Sequence, residues 1–306
     1  MTLHILGLQL KVSALVLPAV HRQHALSVLT WLQSASAAAL AAFGVVHLSA
    51  PLIGLLHLNG DVNDRVDAVS RWMLLGRVAY QSGVGEAVLW ASLATHLVAG
   101  FAKRLTIRFS VSRSSGPQTT RPGIDNASAG PAEDNGERLQ TGTVSTPARS
   151  IKLNIAQRSG YLLAPFALHH AFVNRILPSS RTPPISGLSP SELDYSSVSH
   201  SLSHPSVPVR LITATAYTLL LGTFAVHTTY ALPALLRSLP GRFRTSKKAR
   251  CSQLQGSTLL AALLLASLLA IVPMSSSNRL AISGTLKNRY DTVLGSAFPT
   301  RYFFQS

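Results

Sequence analysis

Residues 29–56 read LTWLQSASAAALAAFGVVHLSAPLIGLL, a run of 28 positions with no acidic, lysine or arginine side chain. A helix of about 20 apolar residues crosses the hydrocarbon core of a bilayer, so this stretch alone gives the chain the character of an integral membrane protein. Ser34, Ala35, Ser36, Ala37, Ala38, Ala39, Ala41, Ala42 and Gly44 make one part of it unusually slim. Small side chains let helices approach closely where no hydrophobic effect drives them together. Working outward, four more segments are apolar enough to cross as helices: 78–101, 160–177, 211–236 and 257–274. The fold class expected is therefore all-α, a membrane-embedded bundle of about five transmembrane helices. The fifth segment, nearly pure Leu, Ala and Ser, is expected to pack against the other four.

Composition supports that class. The 306 residues are 47% hydrophobic and 12% charged, with 27 Lys and Arg against 11 acidic residues. Nearly all the charge lies between the apolar runs, as suits loops facing anionic headgroups. Nucleic acid is not an expected partner, because no motif interleaves aromatic with basic residues. Cys251 is the single cysteine, which rules out an intrachain disulfide and a thiolate metal site. Residues 1–20 carry no basic cluster ahead of an apolar core and are broken by Lys11 and Pro18, so they read as an interfacial segment rather than a cleaved signal peptide. No hydrolase elbow, phosphate-binding glycine loop, zinc-binding His-Glu-x-x-His or carboxylate pair is present, and the chain is read as non-enzymatic. Asp61, Asp64 and Asp67 lack the spacing of a calcium loop and are expected in a solvated connection.

These features divide the chain into an N-terminal segment (1–28), a first helix pair (29–104), a polar linker expected to be disordered (105–156), a second helix pair with the fifth helix (157–274) and a C-terminal tail (275–306). A second Ser- and Pro-rich connection, 179–208, is also expected to lack a fold. With five crossings, 17 basic residues fall on the side of the N-terminus and 10 on the other. The excess of positive charge predicts a cytosolic N-terminus.

Each of the first four segments holds a histidine at depth: His47, His96, His170 and His227. Ionisable side chains inside a membrane are costly and are functional candidates by default. Their spacing repeats. Ser36 precedes His47 by eleven residues and Ser159 precedes His170 by eleven, which puts each pair on one helix face about 16 Å apart. Ser82 precedes His96 by fourteen, as Thr213 precedes His227. The pattern predicts a two-helix unit used twice, with His47 and His170 near one leaflet and His96 and His227 near the other. Two imidazoles from facing helices ligate a b-type haem iron, so the four histidines are the candidate cofactor-binding residues, with Arg104 and Arg175 as candidate partners of propionates. The alternative is packing alone, each ring bonding a carbonyl or hydroxyl of a neighbouring helix. His169 is read as an interface residue, and Glu86 as a packed acid or the partner of an arginine near the same membrane face.

Two stretches carry a family resemblance: His47-Leu-Ser-Ala-Pro51, and Ser159-Gly-Tyr-Leu-Leu-Ala-Pro-Phe-Ala-Leu-His-His-Ala-Phe-Val-Asn-Arg-Ile-Leu-Pro178. With Tyr80-Gln-Ser82 and His96-x3-Gly100-x3-Arg104, they resemble the fungal mitochondrial outer-membrane adapter family of multi-pass lipid-homeostasis proteins, over about 33–274. The resemblance implies a mitochondrial outer-membrane protein with membrane lipids as partners and a role at contacts with the vacuole. It also implies a bridge-like lipid-transfer protein on the cytosolic side, recruited through a Pro-x-Pro motif. The 306 residues contain no Pro-x-Pro; the nearest match is Pro205-Ser-Val-Pro208. Gln157-Arg-Ser-Gly160 and His96-x3-Gly100 are similar in style to the cytochrome b anchor subunits of succinate dehydrogenase and fumarate reductase, which implies haem b as the alternative cofactor.

Overall fold

A computed structural model of the chain describes residues 2–5, 8–11, 19–111, 153–189, 191–238, 249–273 and 280–304. A short antiparallel hairpin, β1 (Thr2–Ile5) and β2 (Leu8–Lys11), comes first. Eight α-helices follow: α1 (Ala19–Leu56), α2 (Val62–Tyr80), α3 (Gly83–Val111), α4 (Ile155–Ala171), α5 (Tyr195–Leu202), α6 (Val207–Ser238), α7 (Ala249–Leu269) and α8 (Gly284–Ser296). The chain forms two compact units, Met1–Thr30 with Val98–Lys152, and Trp31–Leu97 with Leu153–Ser306. The two buried clusters and the four histidines His47, His96, His170 and His227 belong to the second. Most of the expected linker, 112–152, and most of the basic connection before α7 lie outside the described residues.

Among the described residues three helices are long and apolar enough to cross a membrane: Val20–Leu56, Gly83–Ile107 and Val207–Leu236. Their surfaces match that reading, since Trp31, Val45, Val84 and Leu211 are all exposed. An apolar outer face is what hydrocarbon solvates. Prolines interrupt the ladders of α1 and α6 at Pro51 and Pro233. Each lacks an N–H, so the carbonyls of His47 and Thr229 lose their helical donor.

The segment expected to cross over 78–101 is corrected by the structure: it is the end of α2, a break at Gln81 and Ser82, and α3. Ser82 closes the break, donating its hydroxyl to the Ala79 carbonyl and accepting from Gly85 N–H. The acidic run after α1 is likewise helical rather than a loop. Asp61 is the N-cap of α2, its carboxylate accepting from the amides of Asn63 and Asp64 at 2.7 and 2.9 Å. Behind that cap Val62, Val66, Val69 and Met73 form one buried stripe. α3 also runs to Val111, seven residues into the stretch expected to be disordered linker.

Segment 160–177 is built as α4, opened by a capping box between Asn154 and Gln157 and continued by a π-helical turn (Phe172–Ile176) and a 3-10 turn (Leu177–Ser179). The π turn sits just past His170. In α7 the apolar stretch is Gln253–Leu269. Its C-terminal carbonyls are taken by distant donors, Ala270 O by Arg65 Nε at 2.6 Å and Ile271 O by the Ser199 hydroxyl at 2.5 Å.

Connection 179–208 is folded, contrary to the sequence expectation. Ile185, Leu188 and Leu193 join Tyr290 and Val293 of α8 in a small core. Arg289 pairs with Glu192 and donates to Ile185 O, and the Tyr290 hydroxyl donates to Glu192 O. The C-terminal tail is therefore part of the same structure. A larger core joins Ala50, Val66, Met73, Tyr195, Leu202, Leu221, Leu264 and Ile271.

Candidate functional site: two histidine pairs

The four histidines meet as two pairs, from four different helices. The rings of His47 (α1) and His170 (α4) have centres 6.1 Å apart with planes at 68°, and those of His96 (α3) and His227 (α6) are 6.2 Å apart at 84°. Metal–nitrogen bonds of about 2 Å, with the radius of an imidazole added on each side, put two rings sharing one ion about 6 Å apart. Both separations fit, and perpendicular ring planes are compatible with one shared ion. The surroundings of the rings separate the two pairs.

His227 directs Nδ1 at the carbonyl of Ala156, 2.9 Å away on α4, and His96 directs Nδ1 at the carbonyl of Gln33, 3.3 Å away on α1. A carbonyl only accepts, so both rings carry their proton on Nδ1 and keep the Nε2 lone pair free. That is the tautomer of a histidine ligating through Nε2, with the backbone as its orienting partner. The walls here are slim. Gly160 lets α4 approach the ring, for a Cβ there would stand 2.8 Å from His227 Cε1 and 3.0 Å from its Nδ1. Ser36, beside His96 at 3.5 Å, returns its own proton to the Leu32 carbonyl.

His47 and His170 are walled by aromatics instead. Phe43 stacks on His47 at 5.1 Å, Tyr80 meets it edge-on at 6.0 Å, and Tyr217 meets His170 edge-on at 5.7 Å. Asn174, one turn beyond His170, puts its Nδ2 at 2.9 Å from the His170 carbonyl and 3.2 Å from the ring Nδ1. The carbonyl contact identifies that atom as the amide nitrogen, so Nδ1 accepts and the ring proton sits on Nε2. This tautomer suits packing, and its proton would have to move to Nδ1 before Nε2 could ligate. The His96 and His227 pair thus keeps both Nε2 lone pairs available, while the His47 and His170 pair is a hydrogen-bonded aromatic cluster.

The remaining sequence candidates distribute as follows. Arg175, in the π turn, forms a two-point ion pair with Glu86 at the start of α3, at 2.9 and 2.6 Å. Its guanidinium is therefore engaged by a carboxylate of the protein. Arg104 lies on α3. His169 lines a cleft with Phe166, His170, Asn174, Tyr217 and Tyr290. Ser82 and Thr213, placed alike by spacing, differ in structure: Ser82 caps a helix break and Thr213 is buried in α6. Gly160, quoted within Gln157-Arg-Ser-Gly160, was given no packing role from the sequence, and Asn174 was given none at all. Asn174 was findable as the i+4 neighbour of an intramembrane histidine, whereas the partners of His96 and His227 are backbone atoms without a residue signature.

No family model, no curated protein and no solved structure matches this chain.

Proposed function

We propose that the chain is a multi-pass protein of the mitochondrial outer membrane, acting in lipid homeostasis as an adapter or contact-site component, with membrane lipids and a bridge-like lipid-transfer protein as partners. The reading rests on the resemblance to the fungal adapter family, and one observation supports it. The stretches that carry the resemblance, around His47, His96 and Ser159–Pro178, supply three of the four helices that meet at the histidine pairs. In this reading five segments cross, α4 and α7 joining the three longer spans, and the N-terminus is cytosolic. A two-helix unit is used twice: the carbonyl three residues before Ser36 accepts from His96, and the carbonyl three residues before Ser159 accepts from His227. The protein carries out no chemistry of its own. A tagged full chain is expected to colocalise with an outer-membrane marker and, when overproduced, to draw a lipid-transfer protein to mitochondria. Distribution to another membrane refutes the location, and unchanged distribution of the transfer protein refutes the adapter role.

The free Nε2 lone pairs of His96 and His227 favour a second reading, a haem-binding, cytochrome b-like membrane protein. In it His96 and His227 would hold the iron, with the Gln33 and Ala156 carbonyls fixing the tautomers and Gly160 giving clearance. Bound there, the group supplies reversible one-electron transfer. Oxidised and reduced absorption spectra of the detergent-purified chain test it: a Soret band is expected, and its absence discards this reading.

A further inference from the structure

A third histidine cluster lies outside the spanning helices. His200 is near the end of α5, His204 follows two residues after that helix ends, and Asp291 is on α8. The four-residue spacing brings both imidazoles to one side, with ring centres 5.5 Å apart. Both direct Nε2 at the same carboxylate oxygen, His200 at 2.7 Å and His204 at 3.3 Å from Asp291 Oδ1. The three donor atoms all lie within 4.8 Å of one another. Both histidines are buried, while the carboxylate is partly open to solvent at 26%.

One imidazole N–H is enough to pin α5 to α8 through Asp291. A second buried histidine converging on the same oxygen is more than a pin requires, and it completes a recognisable donor set. Ligands about 2 Å from a tetrahedral ion stand roughly 3.3 Å apart, close to the separations here. Two imidazoles and one carboxylate make a borderline nitrogen-and-oxygen set, suited to a zinc-class cation and not to calcium or magnesium, which take oxygen donors. Tyr290 and Phe304, with ring centres 6.0 Å from His200 and 5.3 Å from His204, give the cluster an apolar surround.

We propose that His200, His204 and Asp291 form a binding site for one divalent cation of the zinc class, clamping the C-terminal helix α8 onto α5. Three protein ligands leave a fourth position for water on the open side of Asp291. One contact rearranges on loading. The Ser206 amide donates to His204 Nδ1 at 3.1 Å, whereas a ring ligating through Nε2 carries its proton on Nδ1. Loading therefore moves the proton of each ring from Nε2 to Nδ1 and, at His204, turns the Ser206 amide away, in the turn that follows the exposed Pro205.

The test uses the full chain in detergent, stripped by a chelator and titrated with Zn2+ by calorimetry, with Co2+ as a second probe read by its visible spectrum. One equivalent per chain is expected, with intense Co2+ bands of four-coordinate geometry. Removing a ligand should weaken uptake at least as much as loss of an outer partner does, about 10–100-fold, in Asp291→Asn and His204→Gln, both close to isosteric. His57→Ala, at an exposed histidine on the end of α1, should leave uptake unchanged. Circular dichroism identifies the variants that stay folded. No saturable Zn2+ uptake by the folded wild-type chain, or uptake undiminished in folded Asp291→Asn and His204→Gln, overturns the proposal.

Discussion

His96 with His227 and His47 with His170 have nearly equal ring separations and opposite surroundings. At the first pair the neighbours are backbone carbonyls, Ser36 and Gly160; at the second they are Phe43, Tyr80, Tyr217 and Asn174. Two rings at about 6 Å are therefore not a site in themselves. Between these two pairs the difference is the partner of Nδ1: a carbonyl leaves the Nε2 lone pair available, whereas the Asn174 amide holds the proton of His170 on Nε2, from which it would have to move before that ring could ligate. Of two pairs equivalent by spacing, one is free to ligate and the other is committed to packing.

The strongest way to break the comparison is spectroscopic. On the haem reading, His96→Ala and His227→Ala should abolish the Soret band, and His47→Ala should retain it. A band that survives the first two variants and vanishes in the third reverses the assignment. Next comes clearance. Gly160→Ala drives a methyl to 2.8 Å from the His227 ring and is expected to cost about 1–3 kcal/mol in thermal or denaturant stability in detergent. Gly44→Ala, near the other pair, meets Phe224 at an ordinary 3.5 Å and is expected to be neutral or slightly stabilising through helix propensity. Equal losses at the two glycines would erase the distinction in walls. Asn174→Leu leaves His170 Nδ1 without its donor at a predicted cost of about 1–2 kcal/mol, while any band from the other pair stays in place. The smallest effect is Glu86→Gln. Its partner Arg175 is 40% exposed, so screening should hold the loss to less than about 1 kcal/mol. A larger loss would mean that the pair is shielded by something other than water.

Much of the bundle was legible because spans announce themselves by length. α6 was read nearly whole and α1 from Leu29 onward, ten residues after its start at Ala19, and the spacing of the histidines anticipated which rings meet. α2 was missed because Asp61, Asp64, Arg65, Asp67 and Arg71 mask the stripe of Val62, Val66, Val69 and Met73, although the Asp61 cap and the i, i+4, i+7 spacing were present. The fold of 179–208 was missed for a different reason. Ser199, Ser201 and Ser203 satisfy their hydroxyls on carbonyls and so enter a buried helix that composition describes as polar. The difference between the pairs was out of reach for hydropathy, because the acceptors of His96 and His227 are main-chain atoms.

The end of α7 carries a consequence for how the protein is made. Arg65 and Ser199, which hold its final carbonyls, precede their acceptors by 205 and 72 residues. Both donors leave the ribosome long before the groups they serve, so the Arg65 Nε–H and the Ser199 hydroxyl lack these two acceptors until the fifth apolar segment has been synthesised, although Arg65 Nη1 already has Gly60 O within reach. A product cut short before Ala270 would keep the three long helices and leave the Arg65 Nε–H without its acceptor, with Nη1 still bonded to Gly60 O. Such a product is expected to be less stable than the full chain, because the end of α7 satisfies donors placed by much earlier residues.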